Sequence, residues 1–176
     1  SRPGAWVLPP DPDCAVGRQL FDPRHGVVVV ERVEFRKRNG RTTEYLSLSV
    51  VDQELVLLVP RVTAAAGPVR RMITPEEADA VLEELGREPR AMAPWTTQGF
   101  AKVQRLVLGR NPLVVAAAIR DLSAKAGGKG LGTTDRVLFD RGAALLAAEL
   151  GTALGVGTTR ARRLMGAALA THRAGR

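Results

Sequence analysis

The stretch "HGVVVVERVEFRKRNGRTTEYLSLSV", residues 25–50, decides the fold of the first half of the chain. It opens on β-branched residues, which are stiff at χ1 and fit a pleated surface. Val33 and Phe35 then alternate with charged neighbours, the period-two pattern of a strand with one apolar face. Asn39-Gly40 breaks the run. Both central positions of a tight hairpin turn need positive φ, which Asn and Gly adopt at least cost. The return, "TTEYLSLSV", alternates again through Leu46, Leu48 and Val50, so a hairpin is expected. Val51-Asp52-Gln53 turns the chain once more into "ELVLLVP", a third strand that Pro60 stops. A small curved antiparallel sheet or barrel over residues 14–72 follows.

Residues 1–13, "SRPGAWVLPPDPD", are too rich in Pro and Asp for regular structure and read as a flexible arm. From Thr74 the period becomes helical. In "TPEEADAVLEELG", Thr74 is the N-cap, Pro75 takes the first helical position, Glu77 completes a capping box and Gly86 stops the helix. Its apolar stripe is Ala78, Val81, Leu82 and Leu85. Further helices are expected over about 97–108, 112–126, 134–150 and 159–170, with "GGKGLG" (127–132) as a loop. The fold class is therefore α+β: a small β domain over 14–72, then a helical domain of about five helices over 73–176.

Composition narrows the function. The formal net charge is +8, and 22 of the 26 basic residues are arginine. Such a balance favours polyanionic partners through phosphate contacts and counterion release. The charge is uneven: residues 85–130 hold 8 basic side chains against 2 acidic ones, and from Arg160 onward there are five arginines and no acid. Cys14 is alone, which leaves no internal disulfide and argues against a thiolate metal cluster. His25 and His172 have no partner at a catalytic spacing, and "GGKGLG" lacks the preceding strand and the Lys-Ser/Thr ending of a phosphate-binding loop. A non-enzyme without cofactor or metal is expected. No apolar run is long enough to span a bilayer and no secretory segment stands out, so the expected location is cytoplasmic, at the nucleoid.

One ordered set of residues resembles a known family. Val16-Gly17, Pro23-Arg24-His25-Gly26, Val33-Glu34, Gly40 and Glu44-Tyr45 stand in the order and spacing of the CarD family of bacterial transcription regulators. "PWTTQGFAKVQRLVLGRNPLVVAAAIRDL", residues 94–122, is similar to that family's second domain. The resemblance covers residues 14–170. It implies a Tudor-like, polymerase-interacting β domain that docks on the β subunit of bacterial RNA polymerase. It also implies a helical domain that contacts promoter DNA at the upstream edge of the melted bubble and modulates open-complex stability. On this resemblance Arg36 is a polymerase contact, with Arg38 beside it, and Leu58 stands where the family has a second basic contact. Trp95 stands where the family's tryptophan wedges into the minor groove. The family's basic residues after that tryptophan are replaced by Thr96, Thr97 and Gln98, so Arg90, Lys102 and Arg105 join Thr97 and Gln98 as the candidate DNA contacts.

The residues also admit other roles. With Thr96 as N-cap, Trp95 and Phe100 have the spacing of a hydrophobic staple, which a wedge role does not preclude. "LGVGTTRARRLMGAAL" reads as a turn and recognition helix with Thr158, Thr159, Arg160, Arg162 and Arg163 at its start, as in a sequence-specific helix-turn-helix repressor. The loss of basic residues after Trp95 suits a third possibility, a diverged polymerase-binding adaptor that no longer touches DNA.

Overall fold

A computed structural model describes residues 14–66, 69–91 and 97–172. The fold is α+β, with one five-stranded antiparallel sheet and six helices among the described residues. The chain divides into two compact units, Ser1–Met72 and Ile73–Arg176.

The first unit contains β1 (Gln19–Asp22), β2 (Gly26–Arg38), β3 (Arg41–Val50), β4 (Val56–Pro60), helix α1 (Arg61–Ala66) and β5 (Arg70–Arg71). The strands lie in the order β4-β3-β2-β1-β5. The β2–β3 turn is the expected one, with Asn39 at φ 50° and Gly40 at φ 76°. Between Val30 and Arg32 the β2–β3 register shifts, leaving Glu31 as the extra residue of a bulge. That bulge resolves the uneven pattern of the sequence. Val28 and Val30 face the core in one phase, Val33 in the opposite one, and only an inserted residue lets all three share a face. They pack with Leu20, Leu46, Leu48, Val50, Ala64 and Val69, flanked by Leu57 and Val59.

Three features of this unit differ from the expectation. Two short strands, β1 and β5, complete the sheet, joined by Phe21, over whose ring the buried Arg70 guanidinium lies at 4.3 Å. Pro60 ends β4 as expected, but a short helix follows at once, tied to β3 by Arg61 donating to Glu44 at 2.8 Å. Phe35, expected on the apolar face with Val33, is 70% exposed. The hairpin outruns the core there, so its alternation continues with nothing to bury it.

The turn from β1 into β2 is fixed by Asp22, which is fully buried. Its carboxylate accepts from the Arg24 backbone N–H at 2.9 Å and from the Arg24 guanidinium at 3.3 Å, and His25 Nδ1 lies 3.2 Å away. Burial works to raise the Asp22 pKa, but donation from Arg24 and His25 outweighs it and holds the carboxyl below its ordinary value of 3.8. The resulting stabilisation is present above that ordinary value and is lost as pH falls through the lowered folded-state value. Asp22→Asn is expected to cost about 1–2 kcal/mol at neutral pH. Thermal melts of variant and wild type should converge as the solution is acidified; a constant gap across the acid range would contradict this role.

The second unit contains α2 (Pro75–Leu85), α3 (Thr97–Val107), α4 (Pro112–Lys129), α5 (Thr133–Leu154) and α6 (Thr158–Ala170). The Thr74–Glu77 capping box forms in both directions, at 3.2 and 3.0 Å. Asn111 caps α4 by accepting from the N–H groups of Leu113 and Val114. Helix α4 packs against α2, α3 and α5, and Ala116, Ile119 and Leu122 are fully buried. In α2, Ala78, Val81 and Leu85 are buried while Leu82 is only half-buried.

The expected "GGKGLG" loop is shorter than expected. Residues 127–129 complete α4, and the break falls at Gly130, whose φ of 78° only glycine adopts without strain. Helix α5 ends in a Schellman motif at Gly155 (φ 65°), where Val156 N–H reaches the Gly151 carbonyl at 2.8 Å and Gly155 N–H that of Thr152 at 3.3 Å.

Gly142 sets the approach of α5 to α3. A Cβ there would collide with Val107 Cγ1 and stand 3.0 Å from Ile119 Cδ1. Gly142→Ala is therefore expected to destabilise this unit by about 1–2 kcal/mol through overpacking, despite the better helix propensity of Ala. A chemical-denaturation midpoint at or above that of wild type would show that the contact yields freely.

Candidate functional site

The residues expected to act lie on two surfaces, one in each unit. The first is built by strand register. Directly paired residues of antiparallel strands share a face. Arg32, Ser47 and Leu58 form one such row, Glu34, Tyr45 and Pro60 the next, then Arg36 with Thr43, and Arg38 with Arg41. Arg36, Arg38 and Leu58 are thus on one face of the sheet, with two further arginines, 32 and 41.

This face is ordered rather than a loose fringe of charge. Glu34 receives Arg32 Nε at 2.6 Å and Arg36 Nη2 at 3.2 Å. Those hydrogen bonds, that of Arg32 first, hold the Glu34 carboxyl below its ordinary pKa. The Arg36 guanidinium also lies 5.9 Å from the centre of the Tyr45 ring. Arg36 is therefore held by a carboxylate and an aromatic face while 59% of its side chain stays exposed. Holding an arginine in place beforehand lowers the entropy lost when it meets a partner. Arg38 is exposed near the hairpin tip.

Leu58 is 37% exposed on β4, and Val56 on the same strand is 56% exposed. β4 is an outer strand of the sheet, with no further strand paired to its far side among the described residues, and strand addition is one way such an edge is used. An exposed apolar strand and a clamped arginine on one sheet face are chemistry suited to a protein partner. Between Arg32 and Leu58, the buried Ser47 hydroxyl has no hydrogen-bond partner among the described residues.

The second surface surrounds the start of α3. Trp95 and its neighbour Thr96, with the wedge, cap and staple roles expected of them, lie outside the described residues. Thr97 and Gln98 fall in the first turn of α3, and positions 98, 102 and 105 share one helical stripe by spacing. Lys102 and Arg105 are exposed. Arg105 sits in the last turn of α3, where a cation complements the helix dipole.

Arg90 is placed by a network that sequence spacing does not reveal. Asp121 Oδ1 accepts from the Arg90 backbone N–H at 2.9 Å and from Arg120 Nε at 2.9 Å. Arg120, only 4% exposed, reaches Glu84 Oε1 of α2 at 2.9 Å and the Glu84 carbonyl at 3.3 Å. Burial disfavours its charge, yet the bonds to Asp121 and Glu84 prevail and hold the guanidinium above its ordinary pKa. The end of α2, the middle of α4 and the backbone at Arg90 are thereby locked together, five residues before Trp95. One signal was available: Asp121 is one of only two acids between residues 85 and 130. A second unassigned residue, Glu149 of α5, is 1% exposed and accepts from the Ile73 N–H at 3.3 Å.

No protein-family model matches this chain. Among the described residues no group of His, Cys, Asp or Glu is arranged to hold a metal ion. Among them, too, no helix is long and apolar enough to cross a membrane.

Proposed function

We propose that this chain is a non-enzymatic transcription regulator of the CarD type. It docks on the β subunit of bacterial RNA polymerase through the β2–β4 face and contacts promoter DNA through the helical unit. The observation that carries the reading is the Glu34–Arg36–Tyr45 clamp, on the same sheet face as Leu58 of the outer strand β4. It offers strand pairing, exposed apolar side chains and a fixed cation together, and so suits a partner that presents a strand edge and an acidic side chain. The Tudor-like character of the β unit belongs to the same reading.

The DNA-contacting part is supported by the exposed Lys102 and Arg105 and by the anchoring of Arg90. In this reading Trp95 supplies the wedge that slows reclosure of the melted duplex. Thr97 and Gln98 hydrogen-bond phosphates in place of the usual cations. The first test is co-migration with bacterial RNA polymerase core enzyme, and with its isolated β subunit, in size-exclusion chromatography at micromolar concentration. Stable co-migration with both is expected; no association with either contradicts the proposal.

A further inference from the structure

Helix α6 carries three arginines near its N-terminal end, the end of a helix where a cation is least favoured. Arg160, Arg162 and Arg163 lie in its first two turns, and all three are exposed. A helix N-terminus has a partial positive charge, so Arg160 in the first turn is disfavoured there, and Arg160 and Arg163 also repel one another at i,i+3. None of the three meets a carboxylate or another hydrogen-bond acceptor among the described residues, and α6 contains no acidic residue. Packing does not require them either, since α6 buries Ala161 and Met165 against the bundle.

The surroundings suit a bound anion. Gly157, at the N-cap, has no side chain to satisfy the first N–H groups, and Thr159 is exposed beside the arginines. At about 100° per residue, Arg160, Arg162 and Arg163 fan over about 160° of the helix circumference, Arg160 and Arg162 on the flanks of the exposed face and Arg163 near its centre. The face between and beyond them is shallow, with Gly166, Ala167 and Ala170 exposed.

We infer that the exposed face of α6 is a phosphate-backbone contact for duplex DNA, additional to α3 and blind to sequence. A fan of cations around a shallow helix face matches phosphates flanking a groove on both sides. Insertion into a membrane would require an exposed apolar face, and Ala161 and Met165 of α6 are turned into the bundle. An acidic peptide would need apolar pockets to fix it, which Gly166 and Ala167 do not make. The inference does not depend on polymerase docking.

The test is fluorescence anisotropy of the full chain with short fluorescent duplexes of unrelated sequence, titrated across a salt series. Each phosphate neutralised contributes about 0.9 to the slope of log affinity against log salt, so R160Q/R162Q/R163Q should lower that slope by about 2–3. It should also weaken binding at low salt at least about tenfold. R160K/R162K/R163K should keep most of the slope, because point charges suffice for counterion release. K102Q/R105Q should leave the part contributed by α6 intact, which separates failure of this inference from failure of the α3 reading. An unchanged slope in the glutamine variant, provided its circular dichroism is that of wild type, would overturn the inference. So would loss of binding in the lysine variant, equal affinity for polyglutamate, or strong preference for one duplex.

Discussion

Arg120→Ala is expected to destabilise the helical unit by about 3 kcal/mol, a large share of the roughly 5–15 kcal/mol that holds a domain together. The side chain is almost entirely buried, and its removal strands two carboxylates, Glu84 and Asp121, that were satisfied by it. Both partners keep some solvent access, at 18% and 17% exposure, so the cost falls at the lower end of that for breaking a buried ion pair. The consequence reaches further than stability. Asp121 also holds the Arg90 N–H, so the backbone leading toward Trp95 loses its anchor when Asp121 is pulled out of place. Asp121→Asn separates the two effects. An amide oxygen still accepts from Arg90 and Arg120, so its cost should be about 1 kcal/mol, with the anchor retained. Urea denaturation gives the stabilities, and amide hydrogen exchange at Arg90 reports the anchor. Equal loss in the two variants would show that charge, not the geometry of acceptance, is what this network needs.

Arg36→Glu is expected to weaken polymerase binding by at least about 30-fold, or about 2 kcal/mol, the size of an interface hot spot. In the free protein the change should matter little, because Arg36 is exposed and its pairing with Glu34 is a surface interaction. The two effects therefore separate cleanly: near-normal melting with poor binding. Arg36→Ala should lose less, since it removes the attraction without adding repulsion. Leu58→Arg restores a cation where the resemblance places one, on the same face of the sheet, and is expected to tighten binding. Biolayer interferometry with immobilised polymerase resolves these differences. If Arg36→Glu binds like wild type, the β2–β4 face is not the docking surface.

Local chemistry made much of this fold legible. Asn39-Gly40, the Thr74–Glu77 box and Asn111-Pro112 act through their own backbone neighbours, so sequence spacing is enough to read them. What stayed hidden depends on partners far along the chain. Strand β5 is two residues long and exists because β1 offers it an edge. Gly127 and Gly128 continue a helix against their propensity because α4 is already packed on three neighbours. Phe35 failed in the opposite sense. Its alternation was correct for a strand, but alternation cannot say where the core ends.

The candidate sites divide in the same way. Arg36 and Leu58 are candidates by resemblance, and only register puts them on one face. Glu34 was read as part of a motif, while its grip on Arg32 and Arg36 required side-chain geometry. Arg120 is one more cation in a basic stretch by sequence, but burial makes it structural, whereas Arg90, Lys102 and Arg105 are exposed.

The most direct test of the proposed function is the lifetime of an open promoter complex formed by bacterial RNA polymerase, measured after a competitor challenge. It is compared without the chain, with it, with Trp95→Ala and with Arg36→Glu. The account predicts that the wild-type chain lengthens the lifetime. Arg36→Glu should fail because it does not dock, and Trp95→Ala should fail while still bound to polymerase. An unchanged lifetime with the docked wild-type chain, or a Trp95→Ala variant that lengthens it fully, would contradict the account.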